Sequence, residues 1–533
     1  MRLLIPTLLA ALPILAATCD TLTELKIADA TITSAKIVAA GAFLPPNIRA
    51  DQPAATAYKN LPAFCRVEGY VAPVNDSHIE FEMWLPTEAW NGKYLGVGNG
   101  GFAGAITYSG GIGNAPGLAE GLRAGYASSS TDAGHRASGT DADWALGHPE
   151  KVVDYGYRGI HETAAKSKAI VQAFYGDAPR KSYFSSCSNG GRQALMEAQR
   201  FPEDYDGIIG GAPANFSSHQ NAANIWVAQA LLSDPASYIK PAKLPAIEAA
   251  VLAACDERDG VKDGVLDDPR KCDFDPSALL CQGAESDACL TAPQLAALKK
   301  IYAGPKNSKG EQIFPGMMPG GSLGNGAWIA WITGTEPAKS LQYAFGVGSV
   351  AKIVYQNPAW DFRTFNFDKD VAYLDDKLGP VRNAMNADLS KLKNRGGKLI
   401  MYHGFSDPGI SPVNSINYYS SVVSKMGQKD VDSFVRLYMA PGMQHCGGGP
   451  GPNVLGAGPN TSAGEFTIFS AMERWVEKGQ APEKIVATKF KTDNNAQSGV
   501  SRTRPLCAYP QVARYNGSGS TDEAANFTCS APK

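Results

Sequence analysis

Short apolar runs that end in glycine or small polar residues recur along the chain. Tyr94–Val97 runs into GNGG, Tyr126–Ser128 leads to STDAGH, Tyr183–Ser185 runs into SCSNGG, and Ile208–Ile209 into GGAP. Much later, Leu399–Tyr402 runs into HGFSD and Phe434–Met439 into APGMQHC. Between some of these runs lie stretches with helical character. Ile160–Phe174 is amphipathic, and Arg192–Arg200 is rich in good helix formers. Strand–helix alternation of this kind predicts an α/β fold, a parallel sheet with helices on both faces. Sites in such sheets gather at the carboxyl ends of the strands, where the glycine-rich loops fall. The rhythm stops between about Ser218 and Arg395. A βαβ unit needs ~30 residues, so this surplus predicts an inserted domain over 218–395, with 18–217 and 396–533 building the sheet.

Composition narrows the class. The chain has 533 residues, 44 % hydrophobic and 19 % charged, enough apolar content for a large core and too little charge for disorder. Lys+Arg is 49 against 51 for Asp+Glu, so the net charge is −2 and gives no electrostatic case for nucleic acid or an anionic membrane. The first residues, MRLLIPTLLAALPILAATCD, show a basic start, an apolar stretch from Leu3 to Leu15 and then small residues. That layout predicts a signal peptide over 1–17 and a secreted, extracellular product.

Ten cysteines in an exported chain predict up to five disulfides. The economical local pairs are Cys255–Cys272, Cys281–Cys289 and Cys507–Cys529. Cys19–Cys65 would tie down the N-terminus, which leaves Cys187 and Cys446. Sequons begin at Asn75, Asn215, Asn460, Asn516 and Asn526, and together suit a glycosylated protein from a eukaryote.

The segment from Tyr183 to Arg192 reads as strand, sharp turn and helix, with Ser188 at the turn. A nucleophile elbow needs small neighbours, and Ser186, Gly190 and Gly191 supply them. Position 186 departs mildly from the usual glycine. A bare serine needs an adjacent base. His445, in a glycine-rich loop after a strand, is the candidate. Cys187 directly precedes Ser188, and Cys446 directly follows His445. A bond between those cysteines needs Cα atoms roughly 5.5 Å apart and would bring the serine and histidine within reach. Asp407, just past a strand, is placed third, to orient the imidazole. Asp430 and Asp432 are alternatives that precede a strand. The order Ser188, Asp407, His445 is that of α/β-hydrolases. For the oxyanion, the N–H of Asn189 is one donor, and GNGG offers Gly101 first and Gly100 second.

Together these residues resemble the tannase and feruloyl esterase family of secreted α/β-hydrolases. The matching motifs are GNGG near residue 100, CSNGGRQ at 187–193, FPEDYDGI at 201–208, HGxxDP at 403–408 and GMQHCGGG at 442–449. The resemblance extends from about residue 60 to the C-terminus. It implies a Ser–His–Asp esterase with a large lid, and a disulfide joining the residues beside the serine and histidine. Enzymes that cleave a terephthalate monoester are similar in motifs. The acidic stretch after Cys255 resembles the family's lid calcium site. Asp256, Asp259 and Asp263 would give carboxylates and Val261 and Val265 carbonyls to a structural Ca²⁺, with Gly260 and Gly264 at the turns. A solvated acidic loop is the plainer reading of the same residues.

The implied substrates are small phenolic esters, with ferulate, coumarate or caffeate on plant cell-wall polysaccharide such as xylan preferred over gallate in tannins. No organic cofactor is expected. Trp328, Trp331, Tyr343, Phe345, Trp360 and Phe362 are the aromatic candidates for the pocket, Trp328 and Phe345 foremost, and His403 is placed at the acyl group. A non-catalytic carbohydrate-binding protein on the same fold is the rival from another class.

Overall fold

A computed structural model describes residues 16–110, 114–324, 326–459, 467–493 and 495–532. A nine-stranded sheet crosses the molecule. Its strands are β1 (Ala30–Val38), β2 (Phe64–Val71), β3 (Ile79–Pro86), β4 (Lys93–Val97), β5 (Ala127–Thr131), β6 (Lys181–Cys187), β7 (Gly207–Gly211), β8 (Lys398–Gly404) and β9 (Val435–Ala440). The spatial order is β1-β2-β3-β5-β4-β6-β7-β8-β9. From β5 to β9 all neighbours run parallel, as the alternation predicts. The first three strands and the β3–β5 pair are antiparallel, so the sheet is mixed, where the apolar runs had pointed to a parallel one. Those N-terminal strands carry polar residues between apolar ones and lack glycine-rich loops at their ends, so the run-and-loop pattern passes over them.

Alternate residues of each central strand feed two cores, as a period of two requires. Phe184, Ile208 and Leu399 enter one, with Ile160, Leu195 and Tyr418 from helices Gly159–Tyr175, Asn189–Arg200 and Pro412–Met426. Tyr183, Ile209 and Ile400 enter the other, against Phe469, Met472 and Trp475 of helix Ile468–Lys478. A sheet covered on both faces is the architecture of an α/β-hydrolase.

Between β7 and β8 the chain adds no strand to this sheet. It forms helices instead, among them Ser217–Leu232, Leu244–Cys255, Ala292–Ala303, Leu341–Gly348 and Asp370–Arg382. One of their cores holds Leu231, Leu244, Leu298 and Trp328. A second joins Val350, Phe362 and Leu374 of the insertion to Phe102, Trp144 and Tyr155 of the sheet loops. That shared core seats the insertion over the carboxyl ends of β4 and β5. All ten cysteines are paired as the spacing suggested: Cys19–Cys65, Cys187–Cys446, Cys255–Cys272, Cys281–Cys289 and Cys507–Cys529. No helix among the described residues is long and apolar enough to cross a membrane.

Candidate active site

Strand β6 ends at Cys187 and the next helix starts at Asn189, so Ser188 turns the chain alone. It does so at φ 66° and ψ −121°, a strained conformation for a residue with a side chain. Hydrogen bonds hold the strain. The Ser188 N–H donates to Gly211 O at 2.9 Å, and its carbonyl accepts from Arg192 N at 3.0 Å and Ala214 N at 3.2 Å. Small neighbours are obligatory. A Cβ on Gly190 would lie 1.9 Å from Ser186 Oγ, and one on Gly191 would lie 2.2 Å from Gly211 O.

His445 Nε2 lies 2.9 Å from Ser188 Oγ, and His445 Nδ1 lies 2.8 Å from Asp407 Oδ2. The backbone sets the second distance. Phe405 N donates to Ala440 O at 2.9 Å and Ser406 N to Met443 O at 3.0 Å, zipping the loop after β8 to the loop after β9. Asp430 and Asp432 lie before β9, away from this loop; Asp430 pairs with Lys393 at 2.6 Å.

Asp407 is buried and fully engaged. Its Oδ1 accepts from Gly409 N at 2.7 Å and Ile410 N at 3.0 Å. Its Oδ2 takes both His445 and His403, the latter at 3.0 Å. Burial opposes its charge, but the two imidazoles, His445 first, outweigh that and hold the carboxyl below the usual range. His403 therefore does not face the acyl group. It is 0 % exposed, bonded on its other nitrogen to Ser415 Oγ at 2.7 Å, and stands behind Asp407. On β8 it follows Leu399 and Met401 at alternate positions, so its side chain leaves the sheet toward Ser415 of helix Pro412–Met426.

The Cys187–Cys446 bond joins the two loops, with Cα atoms 6.0 Å apart across a separation of 259 residues. Asn114 braces it from outside. Its N–H and Nδ2 donate to Cys446 O at 3.1 and 2.9 Å, and Nδ2 also reaches Asn453 O at 2.8 Å. From the insertion side, Gln444 Nε2 donates to Gly321 O at 2.8 Å and Leu323 O at 2.7 Å.

The N–H groups of Asn189 and Gly101 have no acceptor among the described residues, so both are available to a developing oxyanion. Gly101 has φ +54°, and a Cβ there would meet Gly139 O at 2.2 Å. Three residues that sequence reasoning passed over hold these donors. Gln193 accepts from Asn99 N at 2.9 Å and donates to Asn99 Oδ1 at 3.1 Å, tying GNGG to the helix after Ser188. Tyr155 donates its hydroxyl to Gly101 O at 2.9 Å. Arg192, fully buried, donates through Nε and Nη2 to Asn189 Oδ1 at 2.9 and 2.8 Å. The motif CSNGGRQ contains Arg192 and Gln193, but only the fold shows what they touch.

Ser188 opens onto two cavities. A cleft of ≈ 380 Å³ also touches His445, Ile106, Thr140 and Leu341, and a recess of ≈ 50 Å³ lies on the side of Asn189 and Arg382. Gly101, Trp331 and Phe345 wall both. Trp331 sets its ring edge-on to His445 at 4.5 Å and tilts over Phe345 at 5.9 Å. Phe345 thus lines the site, and Trp331 rather than Trp328 is the tryptophan in it. Trp328 is 2 % exposed and packs against Tyr302 inside the insertion, because the short helix Trp328–Trp331 turns its two ends to opposite sides. Tyr343, Trp360 and Phe362 belong to the core of the insertion.

In the acidic loop, Asp256 accepts from Asp263 N at 3.3 Å and Gly264 N at 3.0 Å, and Asp259 from Val261 N at 2.9 Å and Asp267 N at 3.0 Å. Gly260 and Gly264 take φ 95° and 77°. Asp263 is already paired with Arg502 at 2.9 Å and Arg504 at 2.6 Å. Burial, reinforced by neighbouring carboxylates, pushes Asp259 up and Asp267 up to about 7. Asp256 and Asp259 accept only backbone N–H groups among the described residues, and carboxylates held that way fit a hard divalent cation. Val265 packs against Gly442, where a Cβ would lie 2.9 Å from its Cγ1, so this loop braces the His445 loop. His161, Glu197 and Asp204 form another cluster, in which burial and Asp204 push Glu197 well up.

Of the sequons, Asn75 and Asn516 are exposed and Asn526 is half-buried, while Asn460 lies outside the described residues. Asn215 is 0 % exposed and accepts from Asn414 Nδ2 at 2.7 Å, which leaves no room for a glycan and removes it from the glycosylation candidates.

The model of the tannase and feruloyl esterase family matches residues 65–530. The chain belongs to this family. An esterase from Xanthomonas campestris is 44 % identical, over 96 % of this chain and 91 % of the relative. The mono(2-hydroxyethyl) terephthalate hydrolase of Piscinibacter sakaiensis is 33 % identical over 90 % and 87 %. The crystal structure of feruloyl esterase B from Aspergillus oryzae superposes with a TM-score of 0.84 at 29 % identity, covering 96 % of this chain and 99 % of that one. The protein is a carboxylic ester hydrolase of the α/β-hydrolase fold.

Proposed function

We propose that the protein is a secreted serine esterase that hydrolyses phenolic-acid esters, releasing ferulate, coumarate or caffeate from plant cell-wall polysaccharide. The observation that carries this reading is the unbroken line Ser188 Oγ, His445, Asp407 Oδ2, with links of 2.9 and 2.8 Å, at the start of a helix beside two free N–H groups. His445 takes the Ser188 proton as Oγ attacks the ester carbonyl. The oxyanion lies on the N–H groups of Asn189 and Gly101. The alkoxide leaves with the proton from His445, and the wider cleft has room for a sugar. Water, deprotonated by His445, then attacks the acyl-Ser188 carbonyl and frees the acid. Trp331 and Phe345 supply an apolar wall for the ring.

Calcium belongs to the same proposal. Asp256, Asp259 and Asp263 with the carbonyls of Val261 and Val265 would hold it, and its role is structural, through Val265 and the His445 loop.

A tannase or aromatic monoester hydrolase is the second reading, favoured by the 33 % identity to the terephthalate monoester enzyme. Initial rates on methyl ferulate, methyl gallate and mono(2-hydroxyethyl) terephthalate decide between them. The highest kcat/KM on methyl ferulate is expected, with loss of turnover in Ser188→Ala. A faster reaction on either rival reassigns the substrate, and activity retained in Ser188→Ala overturns the mechanism.

A further inference from the structure

The recess beside Ser188 holds polar groups that the protein does not satisfy. Arg382, the last residue of helix Asp370–Arg382, is 6 % exposed. It donates through Nη1 to Ser349 Oγ at 2.9 Å, and its Nε has no partner. Among the described residues no carboxylate pairs with it. Its guanidinium carbon sits 5.0 Å from the centre of the Tyr155 ring, and that of Arg192 sits 5.1 Å from it. Two cations thus flank one ring, and burial first, with the charge of Arg382 adding, pushes Arg192 down to about 10. Two more buried atoms along the recess are orphaned: Asn189 Nδ2 and Asn224 Oδ1, on residues 3 % and 4 % exposed.

A buried polar atom left unpaired costs about 1–3 kcal/mol, and three residues with such an atom line this one recess. Their chemistry points to what satisfies them. Arg382 Nε and Asn189 Nδ2 are donors, and Asn224 Oδ1 is an acceptor. A hydroxyl has two lone pairs and one proton, which matches two donors and one acceptor in number. A carboxylate would find no use for Asn224 Oδ1, and a methyl would satisfy nothing. We propose that this recess reads a hydroxyl on the ring of the acyl group, with Arg382 and Asn224 as specificity-determining residues. The proposal rests on the phenolic-ester reading above and adds the residues that select the phenol. The ring would lie against Trp331 and Phe345, which wall both the recess and the cleft, with its hydroxyl beyond them.

The test compares kcat/KM for the methyl esters of 4-hydroxycinnamate, cinnamate and 4-carboxycinnamate in the wild type, Arg382→Met and Asn224→Ala. Sites built to bond a substrate hydroxyl reject analogues lacking it strongly, so the wild type is expected to favour the hydroxylated ester over cinnamate by about 100-fold or more. Each variant is expected to cut that ratio at least about tenfold. A wild-type ratio near unity, or a ratio unmoved in both variants, overturns the proposal. A preference for the 4-carboxylate that disappears in Arg382→Met also overturns it, in favour of an anion. Fluorophosphonate labelling of Ser188 shows that each variant is folded. If Arg382→Met fails to fold, Asn224→Ala carries the test, with tighter inhibition of the wild type by 4-hydroxycinnamate than by cinnamate expected and equal inhibition overturning it. Turnover of 4-nitrophenyl acetate without turnover of any cinnamate ester would instead sink the phenolic-ester reading itself.

Discussion

Cys187 and Cys446 lie next to Ser188 and His445, and the bond between them fixes two loops that are 259 residues apart in the chain at a Cα distance of 6.0 Å. Closing a loop of that length stabilises the fold by about 5 kcal/mol in the chain-entropy model. The larger consequence is positional, because small misplacements of reacting groups cost rate steeply. The double variant Cys187→Ala/Cys446→Ala is expected to lose about 100-fold or more in kcat and to unfold at lower denaturant. Kinetics equal to wild type after thiol mapping has verified the loss of the bond would deny it a role in catalysis.

Asp407 binds two imidazoles and two backbone N–H groups, and its carboxyl is held below the usual range. A carboxylate with a depressed folded value contributes stability that is complete above its unfolded value, about 3.9, and lost as pH falls through the folded value. Urea midpoints of wild type and Asp407→Asn should therefore differ most at neutral pH and converge as the pH falls well below 4. At neutral pH the variant should also lose about 10⁴-fold in kcat, because the imidazole loses its orienting charge. A gap that widens in acid would show the sign to be wrong.

The hydroxyl of Tyr155 acts on the oxyanion hole through Gly101 O. Tyr155→Phe keeps the ring between Arg192 and Arg382 and removes that one hydrogen bond. The expected result is a fall of about tenfold in kcat with little change in KM, less than the 10²–10³ lost when an oxyanion donor itself is removed. An effect on KM alone would place the residue in ground-state binding instead.

Removal of divalent metal is expected to lower the melting temperature while leaving kcat at low temperature close to its original value, since the acidic loop reaches the site at one remove, as through Val265 and Gly442. Calcium should restore the melting temperature and magnesium should not, because an all-oxygen loop of six to eight ligands suits the larger ion. Turnover that vanishes at once on chelation in a still-folded protein would give the metal a direct part in the chemistry.

Local chemistry made much of this protein readable from its sequence. Glycine-rich loops after apolar runs mark where parallel strands end, since only small residues fit a turn as tight as that at Ser188, where a Cβ on Gly190 would lie 1.9 Å from Ser186 Oγ. The adjacency of cysteine to serine and of cysteine to histidine in the sequence was enough to bring the two reacting groups together. What depends on the direction a side chain takes was not readable. His403 and Asp407 are four residues apart, yet the histidine is buried between Asp407 and Ser415; Trp328 and Trp331 are three apart, yet only the second reaches His445. Asn215 carries a sequon, but the fold buries it. Arg382 stands in a stretch with no motif at all. Its place beside Ser188 comes from the insertion packing back over the sheet, a contact between segments far apart in the chain. Local sequence has no term for such a contact, so only the tertiary structure decided which polar groups would meet in the recess and remain unpaired.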